Sequence, residues 1–316
     1  MNKIAFNADE HQPQTFTSTD LNKAFFNPDT PGKHRFTIMV DGDLREYYLH
    51  IPKGYNCNAA LPVVFMLHGS GSNGAEFYSR SGWKEEGEKK NIFTVFPSSW
   101  KYDCVFDDGV QKHHAEKWTS YDLVLCHNKE RRDDVKFLST VIDDLKRKLN
   151  VDEKRIYMAG FSSGGEMAAR CAIELSDKLA AVVACAGSLP PDTTLVPSRK
   201  LPVLLQIGAA DPRLLQKLGS TSPLPLNINK VLSNYPFIQS NINSYLKSFL
   251  LSKNYITSGS PGKYSAALFP GSSGNQENVL KFVVVKGLTH QYSNGQDHPL
   301  ESAAVHWKWM KNFKLL

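Results

Sequence analysis

Two serines, Ser162 and Ser163, stand side by side between Gly160 and the pair Gly164 and Gly165. A serine hydroxyl is a poor nucleophile unless the backbone presents it to a base and fixed donors receive the oxyanion it creates. Presentation on a sharp strand-to-helix turn brings the residues two before and two after the serine close together, so both must be small. Gly160 and Gly164 meet that demand around Ser162, whereas counting from Ser163 places Phe161 in the crowded position. Ser162 is therefore the expected nucleophile. Ser163 would lend its backbone N–H to the oxyanion, and Gly165 would let the following helix start close to the strand.

Three further features have the types that such chemistry needs. LHGSGSNG (67–74) follows an apolar run, and its glycine-rich backbone can turn amides toward a negative charge; the N–H of Ser70 is the expected second oxyanion donor. His68 reads as a pin for this loop rather than as a base. Asp211, in IGAADP, falls just past another apolar run, where a carboxylate can orient an imidazole. His290, in GLTHQYSNG, alone among the ten histidines follows the last strand closely; His113, His114 and His127 precede the nucleophile, and His298 and His306 lie farther on. The order Ser162, Asp211, His290 is that of α/β-hydrolases and differs from the chymotrypsin and subtilisin orders.

Elements that could hold these residues are visible in the hydrophobic pattern. Residues 61–67, 92–97, 155–160, 180–187, 202–208 and 280–287 are nearly continuous apolar runs, as expected of parallel strands covered on both faces. Between them, 132–150 and 166–176 carry apolar residues at helical spacing. The alternation predicts an α/β fold with a mostly parallel central sheet, helices on both faces and irregular insertions at the carboxyl ends of the strands. Asp41-Gly42-Asp43 marks a hairpin ahead of it. The expected organisation is an extended, proline-bearing arm over 1–34 and one catalytic domain over 35–316. Two segments break the rhythm: 98–130, rich in aromatic residues, and 212–279, rich in proline around one helix at about 237–252. Trp100, Trp118 and Tyr121 in the first could stack on a phenolic acid or a sugar, or pack that segment onto the sheet.

Composition narrows the rest. With 316 residues, 41% of them hydrophobic, the chain can bury a large core, and its net charge of +6 comes from lysines interleaved with acids on solvated faces. No basic tract interleaved with aromatic residues suggests nucleic acid, and no apolar run approaches a membrane span. Neither His113-His114 nor Cys126-His127 has convincing metal-ligand spacing, so no metal or cofactor is expected. Among the five cysteines, Cys171 and Cys185 fall in apolar segments, and Cys104 and Cys126 share one segment where they could pair.

From about residue 36 to 313 the chain resembles the polyhydroxybutyrate depolymerase and feruloyl esterase group of α/β-hydrolases, which includes acetyl xylan esterases. The resemblance is carried by LHGSGSNG, by the block DDVKFLSTVIDDLKRKLNVDEKRIYMAGFSSGGEMA, by IGAADP and by GLTHQYSNG. It implies Ser162, Asp211 and His290 as a triad, the amides of Ser70 and Ser163 as the oxyanion hole, and an ester as substrate: aryl, acetyl-sugar or hydroxyalkanoate. Two departures bear on the substrate pocket. Ile207-Gly208 stands where the group often has His-Gly, and Tyr292 stands where a tryptophan is common. Secretion is the group's habit, so the expected location is outside the cell as a mature form without its signal, or otherwise the cytoplasm. Other expectations stay open at this point: a peptidase or thioesterase with the same triad, and a non-catalytic scaffold of this fold.

Overall fold

Nine-residue strands β1 (Gly32–Val40) and β2 (Asp43–Ile51) pair antiparallel across Asp41 and Gly42, whose φ angles of 52° and 86° give the two left-handed positions a tight hairpin turn requires. In this computed structural model the described residues are Asn27, 30–105, Gly109, 111–121, 126–127, 131–272 and 278–315. Nearly all of the expected N-terminal arm lies outside them. The chain continues through β3 (Leu61–Leu67), helices α1 (Gly74–Arg80) and α2 (Trp83–Lys90), and β4 (Phe93–Pro97). Short strands β5 (Trp100–Val105), β6 (Gln111–Lys117) and β7 (Cys126–His127) follow, then α3 (Asp134–Lys148), β8 (Val151–Phe161) and α4 (Ser163–Glu174). After β9 (Ala181–Cys185) and β10 (Val203–Gly208) come helices α5 (Pro212–Lys217), α6 (Ile228–Asn234) and α7 (Pro236–Ser248). Strands β11 (Ile256–Ser260), β12 (Tyr264–Pro270) and β13 (Val279–Val285) and helix α8 (Ser302–Met310) complete it.

Ten strands form the main sheet in the order β1-β2-β4-β3-β8-β9-β10-β13-β12-β11. From β4 to β13 every pairing is parallel, and antiparallel strands close both edges. Side-chain alternation sends Val63, Phe65 and Leu67 into one apolar layer with α3, α4, α6 and α7. Val64 and Met66 enter the opposite layer with α1, α2 and α8. This is the α/β-hydrolase fold, and it explains why the strands read as unbroken apolar runs: both faces are dry. From β3 the chain crosses to β4 on one side, and from β8 it crosses to β9 on the other. The carboxyl ends of β3 and β8 therefore diverge, leaving the crevice where open α/β sheets bind ligands.

Two segments hold more structure than their sequence suggests. Residues 98–130 contain the small sheet β6-β5-β7. Residues 212–279 hold three helices rather than one, and β11 and β12 there extend the main sheet beyond β13. Strand β11 (ITSGS) is exposed almost throughout, so no buried face imposes a two-residue period on it. Helices α5 and α6, of six and seven residues, are too short to show a helical one. Cys171 and Cys185 are buried thiols, as their apolar surroundings suggest, and Cys57 is exposed. Cys104 is disulfide-bonded, and Cys126 lies opposite it in the β5–β7 register.

Candidate active site

The serine corner is built by backbone against backbone. Ser162 joins β8 to α4 with φ 54° and ψ −122°, a left-handed conformation that costs a non-glycine residue on the order of 1–3 kcal/mol. What holds it there is close packing. A Cβ on Gly160 would collide with the Gly164 carbonyl, and one on Gly164 would collide with the carbonyl oxygens of Leu67 and His68. The Ser162 amide donates to the Cys185 carbonyl at 2.8 Å, and the Ser162 carbonyl accepts from Glu166 N at 3.0 Å. The corner is thereby pressed onto the ends of β3 and β9.

Loop 68–74 lies directly against it. An ideal Cβ on Gly69 would meet Ser162 Cβ at 3.3 Å and the Phe161 ring at 3.2 Å, so this loop runs beside the serine. His68 pins it, as its sequence position suggested. The fully buried imidazole donates from Nδ1 to the Gly69 carbonyl (2.8 Å), and its Nε2 accepts from Ser99 N (3.0 Å), which fixes a neutral tautomer. Burial drives its pKa down to about 4, with the Arg80 charge lowering it further and the Gly69 carbonyl opposing. Trp118 Nε1 donates to the His68 carbonyl at 2.8 Å, and Gly71 N donates to the Glu116 carbonyl at 2.8 Å. Among the described residues, neither the Ser70 nor the Ser163 amide has a hydrogen-bond acceptor.

Asp211 caps α5 just past β10: its Oδ1 accepts from the amides of Arg213 (2.9 Å) and Leu214 (3.3 Å). Its Oδ2 accepts from His290 Nδ1 at 2.7 Å, and His290 Nε2 lies 2.9 Å from Ser162 Oγ. Burial alone would raise the Asp211 carboxyl, but the hydrogen bond and charge of His290 and the two capping amides outweigh it and hold the pKa below the usual carboxylate value. An ionised carboxylate only accepts, so Nδ1 carries the proton and Nε2 is the acceptor for the serine hydroxyl. The acid side chain is 3% exposed and the imidazole 16%. The imidazole is therefore the more open end of the Asp211–His290 contact.

The aromatic residues singled out for substrate contact fare differently. Trp118 is fully buried and braces the His68 loop, so its ring offers no face to a ligand. Tyr292 turns its hydroxyl into the protein, where it accepts from Trp83 Nε1 (2.8 Å) and bonds His306 Nδ1 (2.9 Å). Trp100 is half-buried beside the guanidinium groups of Arg45 and Arg132, and Tyr121 is half-buried with its hydroxyl 3.3 Å from Glu174. His113 and His114 are exposed on β6, and the side chains of Cys126 and His127 lie outside the described residues. Sequence reasoning missed Arg45 and Asp134, a buried ion pair (2.6 Å) whose carboxylate also accepts from Thr119 N and Oγ1 and so anchors the Trp118 segment. Asp134 sits at the start of an amphipathic helix, where an acid looks like ordinary helix-terminus chemistry.

Residues 56–228 match the phospholipase/carboxylesterase family model, a span that holds the serine corner and Asp211. The chain belongs to the phospholipase/carboxylesterase family. It is 31% identical over 177 residues to a protein of Nocardia uniformis subsp. tsuyamanensis named as an esterase, NocK, covering 55% of this chain and 47% of that one. It is 24% identical over 275 residues to feruloyl esterase B of Piromyces equi, covering 86% of this chain and 46% of that one. The matches thus span just under half the length of both relatives. Among solved structures, an acetyl xylan esterase from Aspergillus awamori superposes with a TM-score of 0.54 at 12% identity, over 88% of this chain and 99% of that one, which is a likeness of fold. Feruloyl esterase is a name within the group that the sequence motifs resemble. Among the described residues, no helix is long and apolar enough to cross a membrane.

Proposed function

We propose that this family member is a serine carboxylic ester hydrolase acting through an acyl-enzyme on feruloyl or acetyl esters of plant polysaccharide. The observation that carries the reading is the continuous contact Asp211 Oδ2–His290–Ser162 Oγ, at 2.7 and 2.9 Å, across the ends of strands β8, β10 and β13. His290 Nε2 takes the Ser162 proton as Oγ attacks the ester carbonyl, and the amides of Ser70 and Ser163 receive the oxyanion. As the tetrahedral intermediate collapses, the imidazolium returns that proton to the departing alcohol. Water then attacks the acyl-serine by the same route, releasing the acid and restoring Ser162. Asp211 stays ionised throughout and steadies the imidazolium. Ser162 and His290 relay the protons, and the water of deacylation supplies the incoming oxygen.

The substrate assignment is supported by the match to feruloyl esterase B along most of this chain. Of the four aromatic residues considered above, half-buried Trp100 and Tyr121 are the ones proposed to meet a phenolic or sugar ring. The test is side-by-side turnover of methyl ferulate, acetylated xylan and a short hydroxybutyrate oligomer, with a fluorophosphonate probe used to label the nucleophile. Turnover of either of the first two, with the label on Ser162, is the expected result. Preference for the oligomer would replace the substrate class by a polyhydroxyalkanoate. Absence of label at Ser162 would remove the mechanism and leave a ligand-binding scaffold.

A further inference from the structure

We infer that the hydroxyl of Tyr292, held by His306, positions the His290 imidazole on Ser162, an inference that rests on the triad reading above. His290 and Tyr292 belong to one short loop after β13. Its near end is tied to the acid's loop by backbone: Ala210 N donates to the Leu288 carbonyl at 3.0 Å, and Ala209 N to Val285 at 2.8 Å. Its far end is tied by side chains at Tyr292 and, one residue on, by backbone, where Ser302 N donates to the Ser293 carbonyl at 3.0 Å. The Phe161 ring lies between the two residues, with centroids 5.0 Å from His290 and 6.4 Å from Tyr292. Displacing Tyr292 therefore frees the surface against which the imidazole rests.

Trp83 at one end and Gln206 at the other set the direction of the hydrogen bonds around that hydroxyl. Trp83 Nε1 is a pure donor, so Tyr292 O accepts from it (2.8 Å) and gives its own proton to His306 Nδ1 (2.9 Å). His306 Nε2 then carries the hydrogen and donates to Gln206 Oε1 at 3.1 Å, with Cys185 Sγ 3.8 Å away. His306 is completely buried and Gln206 nearly so, leaving water little access as a substitute partner. Gln206 lies on β10, the strand whose end carries Asp211. The loop of the base and the strand of the acid are thus referenced to each other a second time, independently of the His290–Asp211 bond. Packing alone does not call for this, because phenylalanine at 292 would fill the same space.

The test is Tyr292→Phe in the full chain, assayed on a p-nitrophenyl ester. The expected result is kcat lower by about tenfold with KM unchanged, and phosphonylation of Ser162 slowed by a similar factor, as for a small misplacement of a reacting group. Tyr157→Phe is the control: it removes another buried hydroxyl from the same apolar layer, one that donates to the Phe313 carbonyl at 2.8 Å. It should lower the melting temperature while leaving kcat unchanged. His306→Asn keeps an acceptor where Nδ1 stood, whereas His306→Gln keeps the reach to Gln206 and strands Tyr292; the Asn variant should be the faster enzyme. Wild-type kcat in Tyr292→Phe, a loss confined to KM, or an Asn variant no faster than the Gln variant would each overturn the inference. Full turnover in Ser162→Ala would instead overturn the triad reading beneath it.

Discussion

The serine corner and the far end of the imidazole loop hold their groups by different means. At the corner, main chain lies on main chain: Gly160 against Gly164, Gly164 against Leu67 and His68, and the Ser162 amide on Cys185. At the far end, the chain Trp83, Tyr292, His306 and Gln206 joins side chains from α2, the loop itself, α8 and β10, beside a backbone bond from Ser302 N to the Ser293 carbonyl. Backbone contact tolerates one residue type and so leaves a mark in the sequence. Side-chain contact can be met in several ways and leaves none. The corner is consequently the region where a single methyl group should do most harm, and the far end the region where a lost hydroxyl should be felt in rate more than in folding.

Substitutions can break this comparison in order of size. Ser162→Ala should lower kcat by on the order of a millionfold with the fold intact, read by circular dichroism and ester turnover. Ser163→Ala is its partner: that Oγ is buried with no hydrogen-bond partner among the described residues, and the backbone amide survives the change. Its activity should stay within about twofold of wild type; the reverse pattern would move the nucleophile by one residue. Asp211→Asn should cost about 10⁴-fold in kcat, because the amide no longer dictates which imidazole nitrogen carries the proton. Gly164→Ala sharpens the contrast directly. Its Cβ meets two carbonyl oxygens that belong to a buried strand end, so a stability loss of about 3 kcal/mol in urea unfolding is expected, with activity lost alongside. A Gly164→Ala enzyme of wild-type stability would show that the corner is looser than its contacts imply.

What could be read from the sequence follows the same division. The six central strands are visible as apolar runs because both faces of the sheet are dry, and the serine turn is visible because Gly160 and Gly164 have no substitute. Asp211 and His290 can be placed by strand ends alone. The β11 edge is not legible, since an exposed edge strand needs no apolar alternation. The roles of Trp118 and Tyr292 are not legible for a related reason: an aromatic side chain looks the same in sequence whether its polar tip meets a ligand or, as here, the His68 carbonyl and the His306 ring. His306, set aside as a base because it lies far from a strand end, is on α8 and bonds Tyr292, two residues past the loop's imidazole.

The smallest effect separates the two regions by pH. Each holds a buried, neutral imidazole: His68 under the serine corner, with its pKa pushed down to about 4, and His306 at the far end, pushed down to about 3, both chiefly by burial. For a base whose folded pKa lies below its unfolded value near 6.5, the unfolded chain binds the extra proton first, so stability is complete above about pH 6.5 and falls as the solution is acidified. Each residue should cost the fold about 1 kcal/mol at pH 5.5 relative to pH 7. His68 ceases to add to the loss near pH 4, once the folded form also protonates, whereas His306 continues to about pH 3. Subtracting the stability of His306→Asn from that of the wild type at each pH isolates the far end. The difference should grow steadily more unfavourable to the wild type from about pH 6.5 down to about 3. A difference that is flat with pH would mean that the folded protein protonates His306 as readily as the unfolded chain does, so that burial does not hold Nδ1 as an acceptor for Tyr292.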